Sequence, residues 1–175
     1  TTLFRSYYST ARGSYDVYVL FVERAMALTA SMATFGLLVP NKLLSAEYAY
    51  KLRKYLIEKS SIYSILDFSR SGAFAASVYP IAVIIDKAKR NISCLIRSAD
   101  LKQQRSANQS IFNKSPGLLW GHILTEYSDL LIELIPKTIP LESVVEVCGA
   151  ATVSEAYQIA DHVQSTEDGI VERDH

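Results

Sequence analysis

The chain of 175 residues is poor in most of the residues that announce a chemistry. It has two cysteines, Cys94 and Cys148, far apart and with no second cysteine at metal-ligand spacing. That argues against a disulfide-built scaffold or a cysteine zinc site, and two buried thiols in a reducing compartment are the expectation. The histidines His122, His162 and His175 are scattered, so no metal site is expected. Net charge is absent: 18 lysines and arginines face 18 aspartates and glutamates. A chain-wide attraction to polyanions is thereby excluded, and any such surface must be local. Neither a Gly-x-Ser-x-Gly elbow nor a phosphate-loop pattern occurs. The most apolar stretch, Tyr18 to Pro40, is broken by Glu23 and Arg24, so no membrane span is expected. There is no initiator methionine, signal-peptide pattern, internal repeat or low-complexity segment, and a piece cut from a longer protein is expected.

What is present is a globular composition, 49% apolar, enough for one ordinary domain or a domain with an extension. Residues 1–14 read as a polar, tyrosine-rich lead-in. A helix is predicted from Tyr15, with Asp16 near its start and Val17, Leu20, Phe21 and Leu28 on its apolar face. Thr34 to Pro40 is a continuous apolar run ending in proline, which predicts a strand buried on both faces, as in a parallel sheet. Ser45 is expected to cap a helix reaching Lys59, with Tyr48, Leu52, Tyr55 and Leu56 inward and Lys51, Arg53, Lys54 and Glu58 outward. Strands are expected over Ile62–Phe68 and Val78–Asp86, joined by a loop of small residues around Phe74. A further strand, Ile92–Arg97, follows the turn Lys89-Arg90-Asn91 and is expected to make an antiparallel hairpin with its predecessor. Residues 99–117 read as a short helix or linker, and Leu118–Leu134 as a helix. Texture changes after Ile135-Pro136-Lys137, so a second module is placed from about 136. Helix, strand, helix, strand, strand is the order of the second half of an open α/β sheet.

Four blocks occur in a fixed order. The first is Gly13-Ser14-Tyr15-Asp16-Val17-Tyr18-Val19-Leu20-Phe21-Val22-Glu23-Arg24-Ala25. The second is Gly36-Leu37-Leu38-Val39-Pro40-Asn41-Lys42, followed by Lys51-Leu52-Arg53-Lys54-Tyr55-Leu56. The third is Ile65-Leu66-Asp67-Phe68, Ala73-Phe74 and Val78-Tyr79-Pro80-Ile81-Ala82-Val83-Ile84, and the fourth Gly149-Ala150-Ala151-Thr152-Val153-Ser154-Glu155-Ala156-Tyr157. Together they resemble the Eco57I-type and TaqI-type adenine-N6 DNA methyltransferases of restriction–modification systems, over roughly residues 8–160.

The resemblance implies the C-terminal half of a Rossmann-like S-adenosylmethionine-dependent methyltransferase fold over 1–98. A linker and helix would follow over 99–135, then the truncated start of a target-recognition domain over 136–175. In that family the cofactor binds at an early glycine-rich turn, and an Asn-Pro-Pro-aromatic loop holds the amino group of an adenine flipped out of double-stranded DNA. This chain has neither a Pro-Pro pair nor such a turn, so no catalytic residue is expected in it, and alone it should be inactive. The resemblance places Phe74 where a second aromatic stacks on the flipped base, and Phe21 at a helix position that lines the cofactor's adenine pocket. Asn41, Lys42 and Arg70 are candidates for DNA or ligand contact. A prokaryotic cytoplasmic location follows. The bland readings are a loop aromatic folded on the core, a packing phenylalanine and a strand end with its helix cap. The competing function is a non-catalytic DNA-specificity or assembly module. A half-sheet leaves an edge and an apolar face open, so self-association is expected either way.

Overall fold

In the computed structural model, residues 6–68, 79–98, 102, 104–146, 163–166 and 169–172 are described. Loop 69–78, with Phe74 and Arg70, the Gly149–Tyr157 block, Cys148, His162 and His175 lie outside them. The chain divides into two compact units, Thr1–Lys137 and Thr138–His175. In the second, β6 (Val163–Thr166) pairs antiparallel with β7 (Gly169–Glu172).

The first unit is built on a five-stranded sheet in the order β1-β3-β2-β4-β5. Its strands are β1 (Thr34–Pro40), β2 (Ser61–Asp67), β3 (Pro80–Asp86), β4 (Ser93–Ser98) and β5 (Gln104–Asn108). β3 lies between β1 and β2 and is antiparallel to both, whereas β4 runs parallel to β2 on its far side. The expected hairpin between β3 and β4 is therefore corrected: the chain leaves β3, passes β2 and pairs beyond it. Charged residues at the turn had suggested a hairpin, but Asp86 uses them to build a crossover. Its carboxylate accepts from the Arg90 guanidinium at 2.9 Å, from the Ala88 and Arg90 backbone amides and from Asn91 Nδ2. Lys87 instead donates its ammonium to the Met26 and Thr29 carbonyls at the end of a helix, where the dipole favours a cation.

That helix is α1 (Tyr18–Leu28), which begins later than predicted and buries a different face: Tyr18, Val19, Leu20, Val22 and Met26. Val17, Phe21 and Leu28 are exposed instead. The segment is apolar nearly all round, so its periodicity leaves the phase open. The next helix, α2 (Tyr50–Lys59), also starts late; two 3-10 turns, Asn41–Leu44 and Glu47–Ala49, precede it, and Ser45 makes no side-chain cap. Both helices contribute to a core with Val39, Ile62, Ile65, Ile81, Val83 and Ile85 from one sheet face. Each such side chain contributes about 1.5–3 kcal/mol when fully buried.

β1 alternates in exposure rather than being buried on both faces. Among the described strands it has one neighbour, β3, which pairs antiparallel. On the face opposite the core, Leu38, Ala82, Ile84 and Leu66 are at least partly exposed.

Two further expectations are corrected. Residues 99–117 include an edge strand, β5, antiparallel to β4, and then one helical turn, α3 (Ile111–Lys114). The helix foreseen over 118–134 is broken into 3-10 turns at Pro116–Leu118 and Gly121–Leu124 before α4 (Ser128–Leu134). Gly117 takes φ +61°, the left-handed conformation that glycine adopts without a Cβ penalty, and interrupts the turn. The break seats Trp120 in the core. Its indole Nε1–H donates to the Phe112 carbonyl at 2.9 Å, and its ring meets Phe112 edge-on at 4.8 Å.

Candidate functional site

The parallel strands β2 and β4 and the strand β1 all end on one side of the sheet, the side where open α/β sheets bind ligands. Three connections leave from there: Asn41 onward after β1, residues 68–79 between β2 and β3, and 99–103 between β4 and β5. The end is sharply defined. Pro40 stands opposite Pro80, and neither has an amide hydrogen to extend the ladder. One residue on, the Asn41 N–H donates to the Tyr79 carbonyl at 2.8 Å, and the Phe68 N–H to the Pro80 carbonyl at 3.1 Å. Loop 69–78, which carries Phe74 and Arg70, is thus rooted at both ends beside Asn41.

Asn41 is half-buried and Lys42 exposed, both on the 3-10 turn after β1. That turn is held from behind. Arg53 is 1% exposed, and its Nη1 donates to the Leu43 carbonyl at 3.0 Å and the Ala46 carbonyl at 2.8 Å, with Nη2 reaching Gly117 O at 3.4 Å. The Trp120 amide donates to Leu44 O at 2.6 Å. Burial lowers the Arg53 pKa from its ordinary value, while the nearby tyrosines Tyr18 and Tyr50 oppose the shift. Burial likewise raises the Tyr18 phenol.

Sequence reasoning placed Arg53 on a solvated face and missed this role. The signal was its phase: residue 53 follows Ala49 by four and precedes Leu56 by three, so it shares their buried side.

Phe21 lies on α1 with its ring 66% exposed. Two residues further, Glu23 turns the other way and pins the lead-in. The Ser9 and Thr10 amides each donate to it at 2.9 Å, and both hydroxyls donate as well. Burial pushes that carboxyl up, but the hydrogen bonds from Thr10 and Ser9 outweigh it and leave its pKa below the ordinary range.

A hollow of about 290 Å³ opens at the same sheet end, between β4, β5 and the Leu124–Glu126 segment. Asp67, Arg105 and Glu126 line it, so its charge is mixed. A larger hollow, about 580 Å³, is lined by Asn108, Ile111 and α4 residues at the other end of β5, away from these connections. His122 meets the Ser115 hydroxyl at 3.1 Å, and burial lowers its pKa. Among the described residues no cluster of histidine, cysteine and carboxylates suits a metal ion, and no helix is long and apolar enough to cross a membrane.

The structure therefore brings Asn41 and Lys42 to the roots of the Phe74–Arg70 loop. Phe21 is presented separately, on α1.

Comparison with known proteins agrees with this geometry. The Eco57I restriction-modification methylase family matches residues 1–74. The type II methyltransferase M.BstVI of Geobacillus stearothermophilus is 26% identical over 97 residues, 54% of this chain and 17% of that protein. The type II restriction enzyme and methyltransferase RM.Eco57I of Escherichia coli is 22% identical over 102 residues, 58% of this chain and 10% of its own length. The chain thus spans less than a fifth of these relatives. Among solved structures, the type IIG restriction endonuclease BpuSI superposes with a TM-score of 0.53 at 16% identity, covering 89% of this chain and 23% of that one. The sheet is accordingly of the Rossmann-like methyltransferase kind, and the chain is Eco57I-like, related by sequence to the restriction–modification methyltransferases.

Proposed function

We propose that this chain is part of a site-specific DNA methyltransferase of a restriction–modification system, which transfers a methyl group from S-adenosylmethionine to N6 of adenine. The observation that carries the reading is the match to the Eco57I family through residue 74, on a sheet whose ligand end gathers Asn41, Lys42 and the roots of the Phe74 loop.

The cofactor, when bound, supplies a methyl group made electrophilic by its sulfonium sulfur. The exposed ring of Phe21 fits the flat purine of that cofactor, an apolar face offered on the helix that precedes β1. Phe74 replaces the stacking that an adenine loses on leaving the duplex, a contribution of about 1–3 kcal/mol per base. Lys42 and Arg70 supply cations for phosphates on the same side, and Asn41 a polar edge. Residues 136–175 begin the module that reads the DNA sequence. The protein works in the prokaryotic cytoplasm.

Taken alone, this stretch does not methylate DNA, because it has neither an Asn-Pro-Pro-aromatic loop nor a glycine-rich cofactor turn. It self-associates through the open edge of β1. The full-length protein should convert adenine to N6-methyladenine in duplex DNA, read by mass spectrometry of digested nucleosides. Methylation only at cytosine would refute the adenine assignment. Calorimetry of residues 1–175 with S-adenosylmethionine should give no micromolar binding, and such binding would refute the inactivity of the piece.

A further inference from the structure

Tyr79 is the aromatic at the ligand end of the sheet to which neither the core nor the reading above gives a task. Its side chain is 59% exposed, although its backbone is among the best held on that side. Its carbonyl accepts the Asn41 amide from the β1 side at 2.8 Å. The next residue, Pro80, has a ring-locked φ and accepts the Phe68 amide from the β2 side at 3.1 Å. A large ring in water gains nothing from burial, yet here it stands on a backbone fixed from two neighbouring strands. Little further backbone ordering is needed for it to meet a partner.

The hydrogen bond from Asn41 also fixes what lies beside it. Lys42 follows directly, exposed, on the 3-10 turn that Arg53 and the Trp120 amide hold in place. Among the described residues the Lys42 ammonium makes no ion pair, in contrast to Lys54 with Glu58, Lys137 with Glu133 and Arg90 with Asp86. One hydrogen bond therefore ties together a flat apolar face and an uncompensated cation. A polymer that alternates flat bases with phosphates matches both at once; stacking on an aromatic tolerates any base, and a lysine meets phosphate as a point charge.

We propose that Tyr79 is a second DNA-stacking residue, which packs a base or sugar of the strand next to the flipped nucleotide while Lys42 holds the adjoining phosphate. The proposal rests on the reading of the chain as a DNA methyltransferase and adds a contact that none of its assigned residues provides. The ring face carries the contact, so the hydroxyl is dispensable.

The test is fluorescence anisotropy of the full-length protein with a labelled duplex carrying a mismatched adenine, across a salt series. Tyr79→Ala should bind roughly tenfold more weakly. Tyr79→Phe should bind as the parent does, and S-adenosylmethionine affinity should be unchanged in both. Lys42→Gln should reduce the slope of log affinity against log salt by about one. If Tyr79→Ala lowers the melting temperature, Tyr79→Leu keeps the bulk without the π-face and should show the same loss. Parental affinity in the alanine and leucine variants, with Phe74→Ala weakened, would overturn the Tyr79 contact and leave the methyltransferase reading intact. So would a phenylalanine variant as weak as alanine. A parent protein that does not bind DNA would overturn both.

Discussion

Gln109 acts as a strand for Ile62. Its Oε1 accepts the Ile62 amide at 3.1 Å and its Nε2 donates to the Ile62 carbonyl at 2.5 Å, so one side chain makes the paired bonds of a sheet residue. It does so where β2 has no strand to use: the β4 ladder starts only at Ser64 opposite Leu95, and β2 carries a bulge between Ile62 and Ser64. Gln109→Ala strips both partners from half-buried main-chain groups and should cost about 2–3 kcal/mol. Gln109→Glu should be no better, since a carboxylate cannot donate to the carbonyl. Urea unfolding measures both, and a loss below the noise would mean that water replaces the amide.

Arg53 should be equally intolerant of change. Its guanidinium reaches three carbonyls across residues far apart in sequence. Arg53→Met keeps the volume but orphans those carbonyls, and should destabilise by about 3 kcal/mol. Arg53→Lys keeps the charge without the fork and should lose most of the same stability. A lysine variant as stable as the parent would show that charge alone suffices.

Acid should weaken the protein through Glu23 and Asp86. Hydrogen bonding from Arg90 holds the Asp86 carboxyl below its ordinary range, and the Thr10 and Ser9 donors do the same for Glu23 against the opposing effect of burial. A folded pKa below the unfolded one means that the unfolded chain binds more protons in that window. The stabilisation is complete above the unfolded value, about pH 4, and is lost as pH falls through the folded values. Urea midpoints should drop steadily below that point. Asp86→Asn and Glu23→Gln should each start lower at neutral pH and fall less steeply, and parallel curves would place the acid loss in other groups.

Cys94 should be silent to thiol reagents. Burial pushes its thiol up to about 12, although a hydrogen bond from the Ile65 backbone and the charge of Arg105 work the other way. In a Cys148→Ser background, Ellman's reagent should react only as fast as the protein unfolds, with a rate that rises with urea. Prompt reaction in native buffer would contradict the burial.

The apolar run at Thr34–Pro40, the β2 and β3 strands and the lead-in were readable because local composition alone decides them. Three features were not. The phase of α1 was lost because both of its faces are apolar, so only the tertiary contacts of Val19, Val22 and Met26 select one. The crossover from β3 to β4 was mistaken for a hairpin because Asp86 hides its work in side-chain bonds to residues that also suit a turn. β5 looked like a linker because an edge strand buries little: Gln104, Ser106 and Asn108 are exposed, and Ala107 alone is fully covered.

At the candidate site, Asn41 and Lys42 were identifiable from their place after a predicted strand. Arg53 was hidden by its charge, and Tyr79 by its lack of any local pattern.

The facing pair Pro40 and Pro80 has a consequence for variation. A ladder normally creeps when the connection beyond it changes length, because new residues find amides and carbonyls to zip onto. Two opposed rings without amide hydrogens bar that creep. The connection that follows can lengthen, shorten or change its chemistry while β1 and β3 keep their alignment. Such insulation lets one sheet carry many different loops, as proteins that must diverge in what they recognise require.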